Sequence, residues 1–279
     1  MEEIKRKRLR VERRKVLCDR LTLLRGVITT ARTAPPKRTA ADEYKPKCKD
    51  LAMMPEVRKL VEVPDDDVVD ADSLQAVVPM LPALEERWQR ERRADLTRML
   101  RDAHVEVQDG AELLDLAVAI FQCKDCKRYL HHPHVLMHEC ATLPLLGQTK
   151  EFEYVDYFAC VVMACGSRAP WAESSYRVAT KLDRIRELIK MCGKDPKTAT
   201  QKDMDDVGGR LVYNEPRFGE TLMSWRRAVS GFAIYACSVH ERDLASSVDQ
   251  VHARRPSPGS RDRPLEGGYG GGQGGGQTA

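Results

Sequence analysis

The strongest constraint in this chain is the run Phe121-Gln-Cys-Lys-Asp-Cys126 followed by Pro133-His-Val-Leu-Met-His138-Glu-Cys140, which gathers three thiols and an imidazole within eighteen residues. The spacing is C-x2-C-x11-H-x-C. A C-x2-C knuckle turns tightly enough to aim both sulfurs at one ion, and His138 with Cys140 can close a tetrahedron around Zn²⁺. Four protein ligands leave no open position for water, so such an ion holds structure together and does not activate a nucleophile. The expected metal ligands are therefore Cys123, Cys126, His138 and Cys140.

Two other readings of the same residues stay open. Cys123 and Cys126 could be buried small hydrophobes beside the apolar run Ala117-Val-Ala-Ile-Phe121, as free cysteines often are. Lys124, Asp125, Lys127 and Arg128 around the knuckle argue against full burial. Alternatively, a helix starting at Pro133 would put His134 and His138 on one face, giving C-x2-C-x7-H-x3-H. His138 with Cys140 is preferred because a thiolate binds zinc well and would otherwise remain a reactive neighbour of the ion.

The 279 residues suffice for one large or two modest domains, and an apolar content of 42% supplies a core. Nine cysteines are an odd number. Residues 1–25 are too charged to hold the apolar stretch of a signal peptide. The expected compartment is thus reducing, cytoplasm or nucleus. No apolar stretch approaches the roughly twenty residues of a membrane span, so no membrane partner is expected. A net charge of +4 does not by itself call for nucleic acid.

Charge is nevertheless concentrated at one end, where residues 1–25 hold ten Lys/Arg against four Asp/Glu. Lys5-Arg-Lys-Arg8 and Arg13-Arg-Lys15 could mark nuclear localisation or phosphate binding. Leu9, Val16, Leu17, Leu21 and Leu24 recur at helical spacing, so the preferred expectation is an amphipathic helix over 4–28 whose basic residues are its solvated face.

Further along, Pro35-Pro36 breaks the chain into a loop. Asp65, Asp66, Asp67, Asp70 and Asp72 form an acidic turn; without EF-hand spacing it reads as a loop ending in a helix cap, not a calcium site. A helix is expected over 83–101, with Leu84, Trp88, Leu96, Met99 and Leu100 continuing a stripe from Leu81 and Arg87, Arg90, Arg92 and Arg93 on the exposed side. Asp109-Gly-Ala-Glu112 resembles a capping box for a buried helix over Leu113–Ile120. Tyr154–Phe158 and Cys160–Cys165 read as a β-prone apolar stretch whose two cysteines are buried. A helix from Glu173 should stop at Gly193. Thr200 should cap a short helix ended by Gly208-Gly209, a strand should follow at Arg210–Tyr213, and a last helix should cover 221–240. Cys237 and His240 are not read as ligands, for want of a second pair. Beyond Val251 the composition turns Arg-, Pro- and then Gly-rich, the mark of a disordered tail.

The pattern Val118-Ala-Ile-Phe121-x-Cys-x2-Cys126 with Leu130-x2-Pro133-x-Val-Leu-x-His138-x-Cys140 resembles a set of basidiomycete fungal F-box-like proteins with a zinc-finger-like C-terminal half. Gly193-x-Asp-Pro-x-Thr-Ala-Thr200, Met204-Asp205 and Met223-Ser-Trp-Arg226-x-Ala-Val229 extend the resemblance, as do Leu81-Pro-x-Leu84 and Trp88, over roughly residues 1–232. The resemblance implies a protein-interaction role. Two departures qualify it: no Leu-Pro-x-Glu-Ile type F-box helix stands at the N-terminus, and Tyr213 and Gly231 occupy positions where relatives carry a second Cys/His set.

The expected fold is mainly α: a helical domain with a small zinc-stabilised β-hairpin and helix unit and a disordered Gly-rich tail. Its parts are a basic helix and linker (1–64), a helical region (65–120), the zinc-finger-like unit (121–145), an α-rich region with short strands (146–250) and the tail (251–279). G-x-S-x-G, H-E-x-x-H, Walker A and paired-glycine dinucleotide motifs are absent, and the zinc-deaminase order is reversed. The expected function is a non-enzymatic, zinc-binding protein-interaction module whose protein partner the sequence does not name. The alternative is a nuclear, zinc-finger-type nucleic-acid-binding protein.

Overall fold

A computed structural model describes residues 1–33, 39–105, 112–138, 140, 157–166, 169–207, 211–215, 219–230 and 237–239; at 40, 212–215, 219–222, 230 and 237–239 it describes only the backbone. Outside the described residues lie the Pro35-Pro36 break, the expected cap at Asp109, Tyr154–Asp156, the Gly208-Gly209 stop, Arg210, Gly231, Phe232, His240 and the Gly-rich tail. Met1–His240 packs as one unit, and Glu241–Ala279 is a second, wholly outside the described residues.

The protein is mainly helical. Its helices are α1 (Glu2–Thr33), α2 (Cys48–Ala52), α3 (Pro55–Val61), α4 (Ala71–Leu74), α5 (Leu81–Asp102), α6 (His134–Met137), α7 (Tyr157–Ala164), α8 (Leu182–Met191), α9 (Gln201–Asp206) and α10 (Trp225–Ser230). Its strands are β1 (Phe121–Cys123), β2 (Tyr129–Leu130), β3 (Tyr176–Val178), β4 (Leu211–Glu215), β5 (Gly219–Met223) and β6 (Cys237–Val239). They form two antiparallel sheets, ordered β2-β1-β3 and β5-β4-β6. Among the described residues no helix is long and apolar enough to cross a membrane.

Leu17, Leu21, Leu24 and Ile28 recur every three or four residues on α1, and all four are buried against α7 and the α2–α4 segment. The stripe begins at Leu17. Contrary to the sequence expectation, Leu9 is 65% exposed and Val16 only half-buried, so the N-terminal third of α1 is not a packed element. Arg20, between Leu17 and Leu21, is itself buried and fastens the segment after α3.

Prolines set several helix starts. Pro55 opens α3 and Pro82 sits in the first turn of α5, where a missing N–H costs nothing. Asp70 ends the acidic turn as the expected cap, its carboxylate accepting from Ser73 N–H at 2.8 Å. α5 then buries Leu81, Leu84, Trp88, Leu96 and Leu100, as its periodicity predicts, with Met99 half-buried at the edge of the stripe; Arg92, expected on the exposed side, is half-buried over the Trp171 ring at 5.2 Å.

Four expected elements come out differently. Leu113–Ile120 is buried as foreseen except at Asp115, but it is a 3-10 turn (Leu113–Asp115) followed by a second turn, in which Ala119 N–H donates to Leu116 O (3.1 Å), and not a helix. Uniform apolarity fits either form. What decides is hydrogen bonding to other segments: Ala117 N–H donates to Ala199 O (2.9 Å), Ala179 N–H donates to Ile120 O (2.9 Å), and Leu116 bridges Thr200. Tyr157–Ala164 is the helix α7, not a strand: it packs against α1 and α2, and a helix satisfies its own backbone in such apolar surroundings.

The expected helix from Glu173 starts only at Leu182, since Tyr176–Val178 is taken up as the antiparallel partner of β1. Gly193 stops it at φ +72°, as expected. The expected helix over 221–240 is confined to Trp225–Ser230. A strand at 211–215 is not stable alone, and it pairs with 219–223 on one side and 237–239 on the other.

One hydrophobic core runs through this unit, from Leu17 on α1 through Phe121 and Cys123 to Val229 on α10. Tyr157 OH donates to Ala52 O at 2.9 Å, and the buried carboxylate of Asp50 accepts from Trp171 N–H at 2.7 Å. These bonds tie α2 to the chain on either side of residue 165. Burial pushes the Asp50 carboxyl above its usual range, against the pull of the N–H groups it accepts from.

Candidate metal centre

β1 delivers Cys123 from the core to a tight turn. Cys123 N–H donates to Arg128 O (3.0 Å), Lys127 N–H returns to Cys123 O (3.1 Å), and Lys127 takes the left-handed φ of +62° that closes the turn. Gln122 reinforces it, its side-chain amide donating to Lys127 O (3.1 Å) while Arg177 donates twice to its oxygen. Burial pushes the Cys123 thiol up, and the N–H groups of Cys126 and Asp125 directed at its sulfur pull it back toward the thiolate. Backbone N–H groups turned on a sulfur suit a ligand that binds as an anion.

The other side of the site is α6. Pro133 is its N-cap rather than its first residue, and the helix is a single turn ending where His138 begins. His138 Nε2 lies 3.2 Å from Cys126 Sγ. Two rings behind it hold this turn: Trp171 and Tyr176 stack at 5.7 Å, Tyr176 OH donates to Val135 O (2.9 Å), and Trp171 Nε1 donates to the same oxygen (3.2 Å). The His138 ring lies 6.4 Å from that of Tyr176. Burial drives the Tyr176 phenol well above its usual range, so it stays a donor at any physiological pH.

One donor atom each from Cys123, Cys126 and His138 lies within 4.8 Å of the others, and this cluster could hold a metal ion. Cys123 is buried, Cys126 exposed and His138 half-buried, so the trio sits where the core meets solvent. No protein-family model, curated protein or solved structure matches this chain. The trio's own chemistry, two thiols and an imidazole, is that of a zinc or other borderline-soft metal site.

Cys140 is half-buried against the edge of the core and is not among the three brought together. His134, the competing ligand, is exposed and turned to the N-terminal segment instead: Nε2 is 3.5 Å from Tyr44 OH, the rings edge to face at 5.7 Å. Cys160 is buried in α7 and Cys165 lies just beyond it; neither joins the trio. β6 contains Cys237, of which only the backbone is described.

Sequence reasoning missed the support of the loop behind the ligands. His131 is buried, its Nε2 3.1 Å from Ala117 O and its ring edge-on to Trp225 at 5.1 Å. Trp225 Nε1 donates to Asp205 (2.8 Å), which also receives Arg226. Gln201 donates to both Leu114 O and His132 O at 3.1 Å. The one signal in the sequence was the charge complementarity of two short segments, acidic Gln201–Asp206 and arginine-bearing Trp225–Ser230.

Proposed function

We propose that the chain is a non-enzymatic protein-interaction module whose 121–145 unit is held together by one structural Zn²⁺. The carrying observation is the convergence of Cys123, Cys126 and His138 within 4.8 Å. Cys140, one residue beyond Glu139 from His138, is the proposed fourth ligand. A closed Cys₃His set gives the ion a folding role, because deprotonated ligands and bound metal exist together only in the folded chain. Supporting the interaction role are the resemblance to F-box-like proteins and the closed ligand set, which offers a substrate no position on the metal. The absence of an F-box helix makes direct capture of a cullin-ligase adaptor unexpected. An odd number of cysteines, those described all being free thiols, suits the reducing cytoplasm or nucleus.

Elemental analysis of the purified chain should find about one zinc per molecule. Cys126→Ser and Cys140→Ser should each lower zinc content and melting temperature, whereas His134→Ala should change neither. Metal-free protein that melts like the zinc-loaded form would refute the reading.

A second reading, nucleic-acid binding, is favoured by one observation: residues 1–9 of α1 are exposed throughout and carry Lys5-Arg-Lys-Arg8 beyond the packed part of the helix. Binding of a labelled duplex, measured at two salt concentrations, tests it. Phosphate-driven affinity would fall steeply with salt and would be lost in the Lys5, Arg6, Lys7, Arg8 to Ala variant. Affinity that ignores both salt and the substitutions returns the preference to a protein partner.

A further inference from the structure

The geometry points to a second thiol site, separate from the metal centre: Cys48 and Cys165 form an oxidisable pair that a peroxide converts to an intramolecular disulfide. Their sulfurs lie 3.4 Å apart although 117 residues separate them in the chain. Cys48 is the first residue of α2, and Cys165 follows the end of α7. A disulfide sets its sulfurs at about 2.05 Å, so a further approach of little more than an ångström would join them.

The two thiols have different surroundings, which divides the roles. Cys48 is buried and its S–H donates to Cys165 Sγ; Cys165 is half-buried, the more accessible of the two. That donated bond, with help from Arg25 and Lys49, lowers the Cys165 thiol, while burial and the nearby Asp50 oppose it. Cys48 is held firmly as the neutral thiol by the same bond and by burial. An accessible thiol eased toward the thiolate, beside a resolving partner, has the properties of a redox-sensitive cysteine.

In the first step the Cys165 thiolate attacks hydrogen peroxide. An S–O bond forms, the O–O bond breaks, and hydroxide leaves a sulfenic acid on Cys165. In the second step Cys48 sulfur attacks that sulfenic sulfur. The S–S bond forms, the S–O bond breaks and its hydroxyl leaves as water with the Cys48 proton; the proton that Cys165 released in becoming a thiolate joins the first hydroxide to make the second water. Two thiols are oxidised and one peroxide is reduced to two waters.

The cross-link would close a loop that contains the whole of 121–145. It would therefore restrict the unfolded chain around the metal unit and keep the α2–α7 contact when the metal is lost. Oxidation and metal binding would act on one stretch of chain from two sides.

The experiment treats the zinc-loaded, full-length protein with a small molar excess of hydrogen peroxide and maps peptides without reduction. The expected result is a Cys48–Cys165 cross-linked peptide, lighter by two hydrogens than its reduced halves and restored by dithiothreitol. The Cys48→Ser variant should trap a dimedone-reactive sulfenic acid on Cys165, and the Cys165→Ser variant should leave Cys48 reduced. After zinc removal, the oxidised wild type should melt above the reduced wild type. Cys48 and Cys165 that remain fully alkylatable after peroxide, or that pair with other cysteines in preference to each other, would overturn the proposal. Sulfenic acid found on Cys48 in Cys165→Ser would overturn the assignment of roles.

Discussion

Arg20 shows how one residue can carry a loop. It is 4% exposed, and its guanidinium donates to the carbonyls of Val61 (3.1 Å), Val63, Pro64 and Asp67 (each 2.8 Å). Hydrogen bonds from a charged donor contribute about 1.5–3 kcal/mol each, and truncation leaves buried acceptors unpaired. Arg20→Met should therefore destabilise the protein by about 3 kcal/mol or more in urea denaturation, and Arg20→Lys should rescue little, because an ammonium cannot span four carbonyls set for a planar fork. Its role was half legible: position 20 falls on the Leu17–Leu24 face, yet in a run of basic residues it looks like one more solvated charge. His131 makes a pH prediction. Burial, the largest effect, holds its imidazole down from 6.5 to about 4, against the pull of Ala117 O. Protons then bind the unfolded chain first, so the contribution is complete above pH 6.5, falls as pH drops through the unfolded value, and levels off below about 4. Between pH 7.5 and 5 the loss is about 2 kcal/mol. His131→Gln, which keeps a donor for Ala117 O, should shrink the stability difference between those two pH values by that amount; an unchanged difference would show that His131 is not the group responsible.

At the scale of elements, α1 is two structures in one helix. From Leu17 onward it is a core helix; before Leu9 it is a basic rod in solvent. Burial of a leucine contributes about 1.5–3 kcal/mol, and exposed charges add little. Leu17→Asp should accordingly lower the melting temperature clearly, Leu9→Asp should leave it almost unchanged, and so should the replacement of Lys5, Arg6, Lys7 and Arg8 by alanine; thermal denaturation of the three variants separates the two halves. Elements specified by local chemistry were legible in the sequence: α5 by its stripe and Pro82, α4 by Asp70, α9 by Thr200, whose hydroxyl accepts from Asp203 N–H at 3.0 Å while Asp203 accepts from Thr200 N–H at 2.8 Å. Elements specified by a distant partner were not. Leu113–Ile120 forms turns and not a helix because Ala199 and Ala179 pair with its backbone, and Tyr176–Val178 leaves a helical rhythm because it pairs with β1. The candidate metal unit shows both cases. The C-x2-C knuckle and His138 could be read from spacing, whereas the removal of His134 by Tyr44, some ninety residues earlier, could not.

In the whole molecule the candidate metal unit is not an appendage. Phe121, Cys123 and Val135 belong to the same core as Leu17, Trp88 and Val229, and the Trp171–Tyr176 stack that supports His138 also meets Trp88 of α5 edge to face at 6.5 Å. A zinc finger on a linker would lose its own structure with its ion and leave the rest standing. Here the turn that carries the knuckle and the turn that carries His138 are both floor and wall of the shared core, so removing the ion should weaken every element that leans on them. The proposed zinc stabilises the folded state by RT ln(1 + [Zn²⁺]/Kd), about 4 kcal/mol when free zinc exceeds Kd about a thousandfold. Chelation with EDTA should therefore shift the thermal transition of Met1–His240 downward while keeping it a single step, with tryptophan fluorescence, which reports Trp88, Trp171 and Trp225, and far-ultraviolet circular dichroism, which reports α1 and α5, moving together. A zinc-sensitive transition seen only by fluorescence, with the helical signal unmoved, would mean that the 121–145 unit unfolds by itself and that the core continuity does not couple it to the helices.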